Sequence, residues 1–239
     1  MKQLISRIAP CLVLLALLLS SLTAMAQMPD MNSAVMKLFG DNPSFTAQAD
    51  VRVVNSNRVE WFRMPSVFAA GDAKLRLDVD MKLIKSKEIT PQMLANIKQL
   101  GMDKVTSVLR PDKKVKYLIY PTAQSYLAMP LSAEDTLVAN EKMEKKPLGR
   151  ETLDGHPCVK NTSIVKSTKG STLIQATTWN ATDLKDFPIQ IEMKESGNTT
   201  IIHFQNVNLN KPDARLFDIP AGYKDANAQD KKPPVAKKK

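Results

Sequence analysis

Apolar and polar residues alternate most regularly over residues 74–83, where Leu75, Leu77, Val79, Met81 and Leu83 are separated by Lys74, Arg76, Asp78, Asp80 and Lys82. A period of two places the two sets on opposite faces of a strand, one towards a core and one towards water. Shorter runs rich in β-branched and aromatic residues predict further strands. The first two, residues 45–54 and 58–63, flank Asn55-Ser56-Asn57, and Pro65 is expected to end the second. Residues 105–109 and 115–120 surround Pro111-Asp112-Lys113-Lys114, a turn in which proline presets φ, and 125–129 follow. Residues 149–153 and 158–166 flank the hairpin dipeptide Asp154-Gly155, and 171–179 continue. Ile189, Ile191 and Met193 alternate with Gln190, Glu192 and Lys194, and Ser196-Gly197-Asn198 turns into 199–209.

A period near 3.6 appears in only a few places. Asp30 as N-cap, Val35, Leu38 and Phe39 on one side and Gly40 as a stop predict a short helix. Thr90 caps a second, with Pro91 at its first position, Met93, Leu94, Ile97 and Leu100 on its apolar side and Gly101 closing it. Ser132-Ala133-Glu134-Asp135 reads as a capping box for a third, to about Asn140, and the Lys/Glu-rich stretch to Lys146 reads as a loop. Many short strands with few helices make a mainly β (α+β) fold, built on one large antiparallel sheet.

The first residues are of another kind. Lys2 and Arg7 precede an unbroken apolar run at residues 11–19, and Ala24-Met25-Ala26 follows, the pattern of a signal peptide cleaved after Ala26. An uncleaved anchor would need about twenty apolar residues. Residues 27–223 then form one exported domain. Of the two cysteines only Cys158 remains in it, so no intrachain disulfide staples the fold.

The net charge of +10 includes two charges from the leader and four from residues 224–239, which hold six lysines and two aspartates. The folded part is therefore only mildly basic and lacks the basic, aromatic-interleaved face of a nucleic-acid binder. The Lys-rich end reads as a disordered, solvated tail, with peripheral contact to anionic lipid head groups as the second reading.

Catalytic and metal motifs are missing: the chain has two histidines, His156 and His203, and no H-E-x-x-H, G-x-S-x-G, Walker A or dinucleotide fingerprint. Asp154, His156 and Cys158 alternate around a turn, but a closed zinc site needs a fourth ligand, so turn geometry and a buried thiol explain them better. Neither a cofactor nor an enzymatic activity is expected.

Apolar surface is what the chain does offer. The strand rows Leu75, Leu77, Val79, Met81, then Tyr117, Ile119, Ile189, Ile191, Met193, and the helix row Met93, Leu94, Ile97 can pack on each other and fill the space, or enclose a cavity. Ten methionines after Ala26 favour the cavity, because unbranched Met re-packs around variable apolar ligands.

Three segments are similar to landmarks of the LolA/LolB-like periplasmic lipoprotein carriers. They are Val59-Glu60-Trp61-Phe62-Arg63-Met64-Pro65-Ser66-Val67-Phe68, Pro111-Asp112-Lys113-Lys114-Val115-Lys116-Tyr117-Leu118-Ile119-Tyr120-Pro121, and the closing strand Leu216-Phe217-Asp218-Ile219-Pro220-Ala221-Gly222-Tyr223. The resemblance implies an unclosed β-barrel with a few helices packed inside as a lid, over an apolar cavity that takes acyl chains of a lipid or lipoprotein. An alternative on the same fold is an envelope sensor that binds a partner protein. The carriers place a lid-holding arginine directly before the first landmark's proline. Met64 stands there, and Arg63, one residue earlier, belongs to the opposite face of the strand.

Overall fold

The computed structural model describes residues 33–40, 43–131 and 142–230. The leader, the expected helix at 132–140 and residues 231–239 lie outside the described residues. Among the described residues, two helices, α1 (Ser33–Lys37) and α2 (Pro91–Gln99), accompany thirteen strands. These are β1 (Phe45–Val54), β2 (Glu60–Gly71), β3 (Lys74–Asp80), β4 (Lys85–Ser86), β5 (Lys104–Arg110), β6 (Val115–Tyr120), β7 (Ser125–Pro130), β8 (Lys142–Leu153), β9 (His156–Lys166), β10 (Thr172–Ala181), β11 (Phe187–Glu195), β12 (Asn198–Asn208) and β13 (Lys224–Asp225).

All of them join one unclosed sheet in the order β13-β7-β6-β5-β3-β2-β1-β12-β11-β10-β9-β8, with β4 on β2. Two local meanders are thus sewn together by the pairing of β1 with β12, which sets Val51 opposite Ile202. The sheet is mixed rather than wholly antiparallel, because β13 runs parallel to β7.

Turn chemistry fixes the register. Asp154 and Gly155 adopt φ values of 52° and 82°, and Ser196 and Gly197 adopt 48° and 81°. Positive φ at both central residues is the backbone that two-residue hairpins need, and glycine reaches it without steric cost.

Several expected boundaries move, each for a local reason. Pro65 does not end β2. There β4 has left at Arg63 and β3 begins only at Ser66, so no ladder on that side needs the missing N–H. The Lys/Glu-rich stretch forms the start of β8 rather than a loop, since it pairs with β9 from Lys142 opposite Lys166 onwards. In place of the closing strand after Leu216, a 3-10 turn at Ala214–Phe217 opens a strap that crosses the sheet and ends as β13. The folded part therefore runs past Tyr223 into the residues assigned to the tail.

The strap is held by charge and by burial. The buried Arg110 guanidinium donates to Phe217 O at 2.9 Å, to Asp218 Oδ1 at 2.6 Å and to both Asp112 oxygens. Those carboxylates hold the guanidinium pKa above its ordinary value, and Arg110 in turn holds the Asp112 carboxyl below the usual range. Beneath the strap, Phe217 packs on Ala69, Val108 and Ile119.

Candidate functional site

Register defines the face that carries the main core. In β3, Leu75, Leu77 and Val79 share a face with Ala70, Phe68 and Ser66 of β2 and with Leu109, Ser107 and Val105 of β5. The same face continues through Phe45, Ala47, Ala49 and Val51 of β1 to Phe204 and Ile202 of β12 and Ile191 of β11. It is called the inner face here because α1 packs into it: Ala34, Val35, Met36 and Leu38 are all buried there.

The centre of this face is closed by aromatic rings. Phe39 lies 4.9 Å from Phe45, 5.7 Å from Phe187 and 5.4 Å from Phe204, centroid to centroid. Tilted and edge-on contacts of this kind suit the ring quadrupole and fasten the residue after α1 to the sheet. Met64 is buried in the same core, whereas Arg63 faces the other way and donates to Asp50 Oδ1 at 2.8 Å.

Towards β9 and β10 the inner face becomes polar without losing its seal. Ser163 Oγ lies 2.8 Å from Thr178 Oγ1, which donates to Asn180 Oδ1 at 2.7 Å. Asn161 Nδ2 donates to the same oxygen at 3.0 Å, and Asn180 Nδ2 donates to Asp186 O at 2.8 Å. A buried network with its donors placed in this way fixes register at little net cost.

The cover is incomplete at the β5–β7 end. Leu118 of β6 and Leu127 of β7 face each other across the ladder, with Met129 beyond, and all three stay half-buried. Nearby α2 contributes Ile97, which packs on the core, while Met93 and Leu94 are half-buried and no residue of the helix is fully buried. Thr90 Oγ1 caps α2 by accepting from Met93 N at 3.2 Å. Gly101 ends it at φ +69°, so close to the β6–β7 turn that a Cβ would lie 3.0 Å from the Ala123 backbone.

The sequence-predicted rows are therefore only partly brought together. Leu75, Leu77, Val79, Met81, Ile189 and Ile191 are buried in the closed part of the inner face, and Met193 is half-buried beside them. Met93, Leu94 and Ile97 belong to the incompletely covered end. Tyr117 and Ile119 lie on the opposite face, because Ile119 pairs with Thr106 and Tyr117 with Val108, and they meet Phe217, Tyr126 and Tyr223 under the strap. Both faces of β6 are apolar, so alternation alone could not tell them apart. Leu118, Leu127 and Met129 are the residues that this ambiguity hid.

The outer face carries a different cleft, of about 530 Å³, between β1, β2, β3 and β5. Its charges are mostly engaged: Arg63 with Asp50, and Arg76 with Asp78, whose Oδ1 also accepts from Thr106 Oγ1 at 2.5 Å. Asp154, His156 and Cys158 do not converge. His156 Nδ1 lies 2.7 Å from Asp183, Asp154 lies 2.7 Å from His203 Nε2, and burial pushes the Cys158 thiol pKa up. Among the described residues, no three metal-ligating side chains gather.

No family model matches the chain, and no curated protein does. Among solved structures, a LolA superfamily protein from Nitrosomonas europaea is 10% identical, with a TM-score of 0.41 over 77% of this chain and 94% of that one. A putative outer membrane lipoprotein-sorting protein domain from Vibrio parahaemolyticus is 10% identical, with a TM-score of 0.40 over 78% of this chain and 96% of that one. The lipoprotein LppX from Mycobacterium tuberculosis is 10% identical, with a TM-score of 0.36 over 74% and 92%. Among the described residues, no helix is long and apolar enough to cross a membrane.

Proposed function

We propose that this is a periplasmic, non-enzymatic binding protein that takes a lipid or lipoprotein acyl chain against the inner face beside α2. One observation carries the reading. The apolar cover is complete over the centre of the inner face and incomplete where Met93, Leu94 and Ile97 of α2 and Leu118, Leu127 and Met129 of β6 and β7 stay half-buried. Four of these six are methionine or lie on a helix without a buried residue, so the wall can re-pack around a guest.

The energetics suit transient holding. Each acyl methylene removed from water contributes about 0.8 kcal/mol, so one chain is held without any polar contact. Shifting α2 to admit it lowers the net affinity, because the bound arrangement must be populated first. A binder of this kind shields a chain from water and still releases it.

The test is organic extraction of the protein purified from its own cell envelope, followed by displacement of a fluorescent acyl probe. Co-purifying lipid and saturable probe binding, weakened by Leu118→Ser and Met129→Ser, are expected. Protein free of lipid that also fails to bind the probe overturns the reading and leaves the envelope-sensor alternative.

A further inference from the structure

The open end of the inner face carries a group that an apolar wall does not need. Leu109 of β5, Lys116 of β6 and Met129 of β7 stand side by side across the ladders, next to the row of Ser107, Leu118 and Leu127. The two rows continue the inner face of β3 from Leu75 and Leu77. Lys116 therefore belongs to the inner face, and it is half-buried there. Among the described residues, it is the only charged side chain at an inward position of β3, β5, β6 or β7.

Lysine stems cover apolar surface while the ammonium reaches water. That accounts for the stem of Lys116 between Leu109 and Met129. It also sets a cation at the border of the half-buried patch of Leu118, Leu127 and Met129, and a second polar group stands beside it. Ser107 lies diagonal to Lys116 across the β5–β6 ladder, a spacing of about 7–8 Å that a long side chain bridges. Ser107 is half-buried, and among the described residues its hydroxyl makes no hydrogen bond.

The surrounding elements suit an anion. Helix α2 and strands β5, β6 and β7 hold Lys98, Lys104, Arg110 and Lys116 and not one Asp or Glu. We propose that the acyl chain taken here ends in an anionic head group, a carboxylate or a phosphate, bound by the Lys116 ammonium and the Ser107 hydroxyl while the chain lies along Leu118 and Leu127. The inference rests on the acyl-chain reading above and names the class of ligand. The ammonium supplies charge and rotatable donors and the hydroxyl a further donor, so an oxyanion gains more from this corner than an uncharged head group does.

The experiment is displacement of the neutral fluorophore N-phenyl-1-naphthylamine from the full chain by single-chain competitors of equal length. These are palmitate, palmitoyl-lysophosphatidylglycerol and the uncharged monopalmitoylglycerol, each below its critical micelle concentration. At least one charged competitor is expected to act at roughly ten-fold lower concentration than the uncharged one, the scale of a hydrogen bond to a charged group. Preference for the carboxylate points to a fatty acid and preference for the phosphate to a phospholipid; either supports the proposal. Lys116→Gln should bring the ratio of charged to uncharged potency towards unity, Ser107→Ala should lower it, and Lys116→Arg should preserve it. Because the ratio is taken within one variant, loss of folded protein does not imitate loss of the head-group contact. Equal potency of charged and uncharged competitors on the parent, or a ratio that Lys116→Gln leaves unchanged, overturns the proposal and leaves the acyl-chain reading standing. Displacement by none of the competitors overturns the acyl-chain reading itself.

Discussion

The two ends of the inner face are built from the same alternation of residues and finished differently. Around β1, β11 and β12, α1 and the rings of Phe39, Phe45, Phe187 and Phe204 complete the core, so that Ile191 and Ile202 have no exposure at all. At the β5–β7 end, α2, whose closing Gly101 abuts the β6–β7 turn, buries none of its own residues fully. An apolar strand row therefore says where a face is, and the element laid upon it decides whether that face is core or surface. The closed end supplies stability; the open end holds the proposed acyl-chain site.

If that division is right, substitutions at the two ends separate stability from binding. The largest effect is expected from Ile191→Asp, which buries an unpaired carboxylate in the closed end. Loss of about 4 kcal/mol in urea unfolding is expected, and a small change would show that this end is not sealed. Gly101→Ala comes next, since it forces a side chain into the left-handed region and against Ala123. A cost of about 1–2 kcal/mol is expected, with α2 more readily cleaved by protease, and unchanged proteolysis would show that α2 is not held there.

A smaller effect on stability, below about 1 kcal/mol, is expected from Ile97→Ser, while acyl-probe affinity falls roughly five-fold for the same lost apolar contact. Equal losses in both measurements would erase the distinction between the ends. The gentlest probe is acid. Asp112 is held below its ordinary pKa by Arg110, and Asp103 by Lys82, so both stabilise the fold above the ordinary carboxylate pKa of about 3.9 and lose that contribution as pH falls through their lowered values. Hydrogen exchange should therefore show the strap and the β3–β5 end opening before the aromatic core as pH falls below about 4; the reverse order would refute it.

Much of the fold was legible because its hairpins announce themselves. Asp154-Gly155 and Ser196-Gly197 have the residues their positive φ values require, and the strand from Phe45 to Val54 begins and ends where its composition does. The signals failed where a residue's meaning depends on a distant partner. Pro65 is tolerated only because β3 and β4 leave a gap beside it, and residues 142–146 become a strand only because β9 lies alongside. The candidate site suffered in the same way. Tyr117 and Ile119 look like Leu118 and Tyr120 until the strap, about a hundred residues later, takes one face of β6 for Phe217. Phe39, whose ring helps seal the centre, was legible as an apolar helix residue but not as a plug.

The joint between the two meanders has a temporal consequence. Every other pairing links strands closer in the chain, but β1 must wait for β12, its antiparallel neighbour, and β7 for β13, its parallel one. As the chain lengthens from its amino end, the first strand stays without one neighbour until β12 is made, and β13 then closes the far edge. Contacts so distant in sequence form slowly. The sheet is thereby kept unfinished until β12 and then β13 emerge, with an apolar strand awaiting its mate.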